Sequence, residues 1–554
     1  MSTGATAVAR TLRAHGVSTV FALCGDHTNP VVESLDDEGI RIIDTRDERG
    51  AAWMAAGWAL ATGEPGVVLV SNAPALTNAA TPLLDAQASG IPLVCLAGGV
   101  AVADRGKGHP GDIDQVEIAR PLSKWAARAP SAAEAGAMTA EAFAQAREGR
   151  PGVAMLDLPL DVQHGAASGE PEAVRRRAIT PAAENDIARA AKALADARAP
   201  VILAGSGCWW SGAGDALLAL AERARIPVFS ARAARGLTPD DHELGFGFPN
   251  LLGAPAQLAF AEADVALIVG TKLDLMVAGG GFHAGCTVVR VDIDRDAFAL
   301  GREAQIPIVA DARALLEGLA SRAEPLASAA WIARLRDAAD ARRAEIATRA
   351  AIATQPLHPG RLVAEIAAAL PRDAIVCVDA GELALWAIDG IPARAPGSFH
   401  VSSSSAAGAL GMGLPWAIGM KLAHPERAVL ALCGDGSFGF TALEVETATR
   451  HNAPVAAVIG NDGGWGIVRH LQQALHGRAI ASDLPVSPYE LLGEFARGVG
   501  DRVETPQQAQ IAITNALAAS TPSVINAIID PRAQHDAIPL IASMFAAKRS
   551  GSAG

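Results

Sequence analysis

The chain is 554 residues long, enough for three or four domains at roughly 150 residues each, which excludes a small cross-linked module. Half of its residues are hydrophobic, 19% are charged, and 46 basic against 59 acidic side chains leave a net charge of −13; an acidic balance argues against a nucleic-acid or anionic-membrane partner. The six cysteines (Cys24, Cys95, Cys208, Cys286, Cys377, Cys433) form no CxxC pair and no regular spacing, so neither a disulfide framework nor a zinc site is expected, and the reading is a reduced, cytoplasmic protein.

The first 17 residues place Arg10 and Arg13 inside an apolar pattern of helical spacing and lack the apolar core of a signal peptide. Apolar runs such as 91–103 stop short of the ~18 residues of a membrane span. From there, short β-rich runs alternate with helical stretches: STVFALCG, VVESLDDEG, RIIDTRD, ERGAAWMAAGWALATG, PGVVLVSNAP, LTNAATPLLDAQASG and IPLVCLAGG. Strands apolar on both faces, separated by helices, predict a parallel sheet covered on both sides. The polar stretch 168–186 reads as a linker after a first domain at 1–167. The same grammar returns in a central domain at 187–325, with strands at PVILAGSG, IPVFSA, VALIVGT and VVRVDID and a last one ending near 309–311. A helical stretch at 331–353 leads to a third domain at 355–538, with strands at AIVCVDAG, AVLALCGDG, PVAAVIGND and SVINAIID, and a tail at 539–554. The predicted fold is α/β, with three doubly wound parallel-sheet domains.

The segment 434–462 carries the most chemistry. A strand runs into Gly434-Asp435-Gly436, and a second strand ends in Asn461-Asp462. Gly434 and Gly436 let backbone N–H groups approach a diphosphate, and Asp435 and Asp462, with the Gly464 carbonyl, are hard oxygen donors suited to a magnesium ion bridging it. Taken alone, the Gly-Asp-Gly turn is equally an ordinary strand-to-helix connection.

With 24 residues (437–460) between it and Asn461-Asp462, this segment resembles the signature of the thiamine diphosphate-dependent enzymes. The family's second Asn is Asp462 here, which keeps an oxygen donor and adds a negative charge. A second match covers 41–78, which resembles the pyrimidine-binding domain of acetolactate synthase and benzaldehyde lyase. There Glu48 takes the place of the glutamate that bonds N1′ of the aminopyrimidine and activates the cofactor; read alone, Glu48 is a helix N-terminal acid favoured by the macrodipole. A third match, 402–419, resembles the loop in which a bulky apolar residue, here Leu410, wedges the cofactor into a bent form while the Gly408 carbonyl accepts from its 4′-amino group; the bland alternative is a glycine-rich helix start with a core leucine. The resemblance implies pyrimidine-binding, central and diphosphate-binding domains in that order, thiamine diphosphate with Mg2+, and a cofactor set of Glu48, Gly381, Glu382, Gly408, Leu410, Gly434, Gly436, Ser437, Gly464, Trp465 and Ile467. It also implies a homodimer or homotetramer with active sites between subunits.

Three residues bear on the reaction. His27 matches the benzaldehyde lyase histidine near the reacting carbon, where it relays a proton at neutral pH; otherwise it bridges a loop. Gln115 lies in a stretch similar to that lyase and offers a neutral amide to the substrate oxygen, or is a solvated helix residue. Asp26 resembles an acid of pyruvate decarboxylase, or is an Asx-turn residue before Asn29-Pro30. Trp465 and Ile467 also line the pocket, and Ile467 in place of a smaller residue implies a smaller substrate. His109 and His470 are weaker candidates. In the central domain Trp210 stands where a dinucleotide fingerprint has its third glycine, and GTKLDLMVAGGG lacks the arginines of flavin-binding relatives, which argues against FAD; an acyl-CoA nucleotide stays open. The expected function is a thiamine diphosphate- and Mg-dependent lyase or carboligase acting on 2-hydroxy ketones, aldehydes or 2-oxo acids. The alternatives are a 2-oxo acid decarboxylase, a 2-hydroxyacyl-CoA lyase, or a noncatalytic binding protein of the same fold.

Overall fold

The computed structural model describes residues 2–168, 170–173, 178–249, 253–273, 277, 280–325, 329–402 and 407–551. Parts of the 402–419 loop (403–406), of the 270–281 run, of the linker and of the tail (552–554) lie outside the described residues. Three parallel sheets form. The first joins β1 (Thr19–Leu23), β2 (Arg41–Asp44), β3 (Gly66–Val70), β4 (Leu93–Gly99), β5 (Trp125–Arg128) and β6 (Val153–Pro159) in the order β2-β1-β3-β4-β6-β5. The second joins β7 (Pro200–Ala204), β8 (Val228–Ser230), β9 (Val265–Val269), β10 (Thr287–Asp292) and β11 (Ile306–Val309) in the order β11-β10-β9-β7-β8. The third joins β12 (Ile375–Val378), β13 (Phe399–Val401), β14 (Val429–Gly434), β15 (Ala456–Asn461), β16 (Val499–Val503) and β17 (Ser523–Ile528) in the order β13-β12-β14-β15-β17-β16.

The strand sequences explain the architecture. β3 (GVVLV), β4 (LVCLAGG) and β15 (AAVIGN) are buried at every position, as strands covered by helices on both faces must be. The sequence reading did not anticipate β5, β6, β13 and β16. Three of these are sheet edges, where short or polar strands carry a weak apolar signal. The fourth, β6, is an apolar run interrupted by Asp157. All six cysteines are free, and no helix among the described residues is long and apolar enough to cross a membrane.

Two compact units result. Unit 1 comprises 1–178, 405–426 and 441–454; unit 2 comprises 179–404, 427–440 and 455–554. In unit 1 the Glu48–Thr62 helix, rich in alanine and glycine, lies against the Gly413–Ala423 helix. Trp53 and Trp416 meet edge to face, with centroids 6.1 Å apart, an arrangement the ring quadrupoles favour. A Cβ on Gly57 would stand 2.5 Å from the Trp416 carbonyl oxygen, so the crossing distance is set by the absence of a side chain. In unit 2, the central sheet reaches the third through the buried Arg235–Asp240 ion pair, whose Asp240 accepts from the Ala393 N–H at 2.8 Å. Gly57→Ala is expected to cost about 1–3 kcal/mol through overpacking and to lower the melting temperature; an unchanged melt would show that the crossing yields freely.

Candidate functional site

In an open parallel sheet the loops that diverge at a switch in strand order leave a crevice at the strands' carboxyl ends, and ligands bind there. In the first sheet this point lies between β1 and β3. The loop after β1 carries Asp26 and His27, and the loop after β3 carries Asn72, whose Nδ2 lies 3.5 Å from His27 Nε2. The same Asn72 amide donates to the Pro110 carbonyl at 3.2 Å, so it holds His27 from one side while Gln163 Nε2 donates to the His27 carbonyl at 2.6 Å from the other. His27 is half-buried, and Asp26 is exposed. His109 is exposed beside Asp104.

Gln115 is 2% exposed, which corrects the solvated-helix alternative. Its Nε2 donates to the Gly98 carbonyl at 2.9 Å and to Asp157 Oδ1 at 3.3 Å; Asp157 is in turn bonded by Arg128 at 2.6 Å. Two acceptors fix the amide's orientation, so its buried and unpartnered Oε1 is what it can offer: an acceptor for a hydroxyl, not a donor to a carbonyl.

Glu48 opens its helix behind the N-cap Asp47, whose side chain accepts from the Arg49 N–H at 2.7 Å. The Glu48 carboxyl is 8% exposed and takes a hydrogen bond on Oε2 from Asn78 Nδ2 at 3.0 Å. No ion pair involves it among the described residues. A buried carboxylate held by a neutral amide keeps an oxygen for proton transfer, which a salt bridge would occupy. Behind it, Glu444 is buried with Oε2 accepting from Thr447 Oγ1 at 2.6 Å and from the Arg46 N–H at 3.4 Å. A Cβ on Gly50 would collide with this carboxyl. Leu410 is half-buried and Gly408 is exposed with φ +66°.

Unit 2 holds the second constellation. The third sheet changes direction between β12 and β14, and the loops after these strands carry Gly381-Glu382 and Asp435-Gly436-Ser437. Gly381 has φ +118°, a backbone only glycine adopts readily. Asp435 is 1% exposed; its Oδ2 accepts from the Gly464 N–H at 3.0 Å, and its Oδ1 is buried without a partner. Ser437 Oγ donates back to the Gly434 carbonyl at 3.1 Å. A Cβ on Gly436 would lie 2.7 Å from the Trp465 ring, which makes that glycine a floor for the indole. Asn461 is fully buried and ties the turn: its Nδ2 donates to Asn526 Oδ1 at 3.0 Å and its Oδ1 accepts from the Gly463 N–H at 3.2 Å. Burial and the charge of Asp435 push the Asp462 carboxyl up to about 7, and burial raises Asp435 as well. Trp465 and Ile467 are half-buried at the start of the Gly466–His476 helix.

Glu382 has both oxygens engaged by the protein, Oε2 by His470 Nδ1 and Oε1 by the His535 N–H, each at 2.6 Å. The carboxylate raises the His470 pKa. Glu382 thus ties the helix after the Asp462 turn to the segment before the last helix.

Residues 2–118, 187–319 and 379–527 match the models for the N-terminal TPP binding, central and C-terminal TPP binding domains of thiamine pyrophosphate enzymes. The chain is 37% identical over 540 residues, 95% of each chain, to an acetolactate synthase large subunit of Mycobacterium tuberculosis. It is 36% identical over 520 residues, 91% of this chain and 89% of the relative, to a probable 2-ketoarginine decarboxylase of Pseudomonas aeruginosa. A probable acetolactate synthase large subunit of Methanocaldococcus jannaschii is 30% identical over 559 residues, 97% of this chain and 93% of the relative.

The chain belongs to the thiamine pyrophosphate enzyme family. It is accordingly a thiamine diphosphate-dependent enzyme of the lyase and carboligase type. The residues present suit the cofactor's diphosphate and a hard cation: two buried carboxylates side by side repel one another, and Asp435 Oδ1 has no protein donor. No group of three or more His, Cys, Asp or Glu side chains arranged to hold a metal occurs among the described residues. One or two carboxylates completed by phosphate oxygens and water is a set magnesium accepts. Asn72, Asn78 and Glu444 escaped the sequence reading because each meets its partner across the fold, with no local pattern to mark it.

Burial pushes the Glu444 pKa up to about 7 from 4.5. Between these values the unfolded chain releases a proton that the folded protein keeps, so stability falls as pH rises through that window and is fully retained below it. Glu444→Gln, neutral throughout, is expected to gain about 2–3 kcal/mol on the wild type between pH 4.5 and 7.5; parallel pH profiles of the two melting temperatures would contradict the assignment.

Proposed function

We propose that this enzyme cleaves the bond next to the carbonyl of a 2-oxo acid and joins the resulting acyl unit to a second carbonyl compound, with Mg2+ and thiamine diphosphate bound. The carrying observation is Glu48: a buried carboxyl at a helix start, oriented by Asn78 and free of any described cation. The names of the mycobacterial and archaeal relatives, acetolactate synthases, support a 2-oxo acid as donor. Thiamine diphosphate supplies a thiazolium that stabilises negative charge at the cleaved carbon. Asp435 and Asp462, with a backbone oxygen of the Gly464 turn, would hold the magnesium, and the N–H groups after Gly434 the diphosphate. Glu48 would hold and return a proton at the pyrimidine nitrogen. His27, set by Asn72 and Gln163, would pass a proton to the substrate oxygen, while Gln115 Oε1 would accept from a substrate hydroxyl. Asp26 would face the same loop mouth, Leu410 would press on the cofactor, and Ile467 would restrict the size of the substrate.

A second reading, simple decarboxylation, is favoured by one observation: the relative from Pseudomonas aeruginosa is named a probable decarboxylase. Our reading keeps the domain boundaries 1–167, 187–325 and 355–538 with a tail at 539–554, a cytoplasmic location, and a second copy as partner. It includes no FAD and leaves an acyl-CoA nucleotide open.

The experiment is NMR of products formed from pyruvate with Mg2+ and thiamine diphosphate. Acetolactate with carbon dioxide is expected; acetaldehyde and carbon dioxide without acetolactate would move the assignment to a decarboxylase, and an inert protein would overturn it. Glu48→Gln should lower turnover by at least about 10²-fold, the scale of one general acid–base group, with cofactor affinity little changed. Asp435→Ala should abolish magnesium-dependent cofactor binding, measured by equilibrium dialysis; retained binding would remove Asp435 from the metal site.

A further inference from the structure

A single guanidinium covers the turn that carries Asp462. Arg469, on the first turn of the Gly466–His476 helix, is 15% exposed in its side chain. Its Nη1 donates to Asp462 Oδ2 at 3.2 Å and to the Asp462 carbonyl at 3.4 Å, its Nη2 to the Gly463 carbonyl at 2.8 Å, and its Nε to Asp483 Oδ1 at 3.1 Å. The turn is shaped to receive it. Gly463 has φ +62°, and a Cβ on Gly464 would collide with the guanidinium.

The electrostatics give this contact a purpose beyond tethering a helix. Asp462 and Asp435 share a buried space, and Glu382 adds a third negative charge nearby. Arg469 is the ion-pair partner of Asp462 among the described residues, while Asp435 has none there. Two buried carboxylates without compensation repel each other and each loses hydration. A guanidinium stays charged at any working pH, and its fork satisfies a side chain and two main-chain oxygens at once, which an ammonium cannot do with the same geometry.

We propose that Arg469 is a positioning residue for the divalent cation: it balances the second aspartate and clamps residues 462–464 against Asp435, so that two aspartates can stand in one ligand set. This rests on the metal reading above. If Arg469 only fastened its helix, the charge on residue 462 would be immaterial. If it balances charge, removing that charge should remove the need for it.

A double-mutant cycle separates the two. Arg469→Met is expected to weaken thiamine diphosphate binding at fixed Mg2+, read by quenching of tryptophan fluorescence, by about tenfold or more, and to lower the melting temperature of the cofactor-free protein. In the Asp462→Asn background the same substitution should cost distinctly less in both readouts, because only the bonds to the main-chain carbonyls and to Asp483 are then lost. Equal losses in the two backgrounds, or no loss in either, would overturn the proposal. Should Arg469→Met fail to fold, recovery of folded protein in the Asp462→Asn/Arg469→Met variant is the same rescue. Wild-type protein that binds no cofactor with magnesium would overturn the metal reading, and the cofactor-free melting cycle would still decide the coupling of Arg469 to Asp462.

Discussion

Two like charges buried side by side are the constraint around which the third sheet's loops are arranged. Asp435 and Asp462 end up together because β14 and β15 are adjacent parallel strands whose carboxyl ends lie in register, Gly434 opposite Gly460. Leaving two carboxylates there is unfavourable unless something positive joins them. The surroundings are built for that. Asn461 locks the turn through Asn526, the Gly464 N–H meets one oxygen of Asp435, Tyr489 donates to its main-chain carbonyl at 3.3 Å, and Arg469 spans the loop. Glycine at 436, 463 and 464 is a consequence of how closely these groups approach.

The same topological logic places the other chemistry. In each sheet the connections diverge at one inner point, between β1 and β3, between β7 and β9 and between β12 and β14, and the residues of interest gather at two of them: His27 and Asn72 in the first sheet, Gly381 and Asp435 in the third. In the central sheet the corresponding loops bring Gly207 and Gly270 together. One architectural rule thus decides which loops meet, and the residues at the strand ends decide what those loops carry. Fold and cofactor follow from membership of the family; Gln115, its N–H groups committed to Gly98 and Asp157, has only an acceptor left to offer.

Much of this was legible in the sequence. The alternation of apolar runs and helices announced parallel sheets because strands covered on both faces have no polar side to disguise them. The Gly-Asp-Gly turn and Asn461-Asp462 were legible because each packs several required residue types into a few positions. Asn78 and Glu444 were not, since the first lies 30 residues from Glu48 and the second meets Arg46 from 398 residues away. Glu382, which the resemblance implies as a cofactor contact, has its two oxygens bonded to His470 and the His535 main chain, partners that no local pattern marks. Short edge strands such as β13 and β16 were missed because half of their environment is solvent.

The most direct measurement is calorimetric titration of the full-length protein with thiamine diphosphate, once with Mg2+ and once with excess EDTA. The account predicts saturable binding with magnesium and binding weakened by orders of magnitude without it, because the aspartate pair repels a diphosphate unless a cation lies between them. Equally tight binding in EDTA would contradict the role assigned to Asp435 and Asp462, and with it the reading of the third sheet as a metal–diphosphate site.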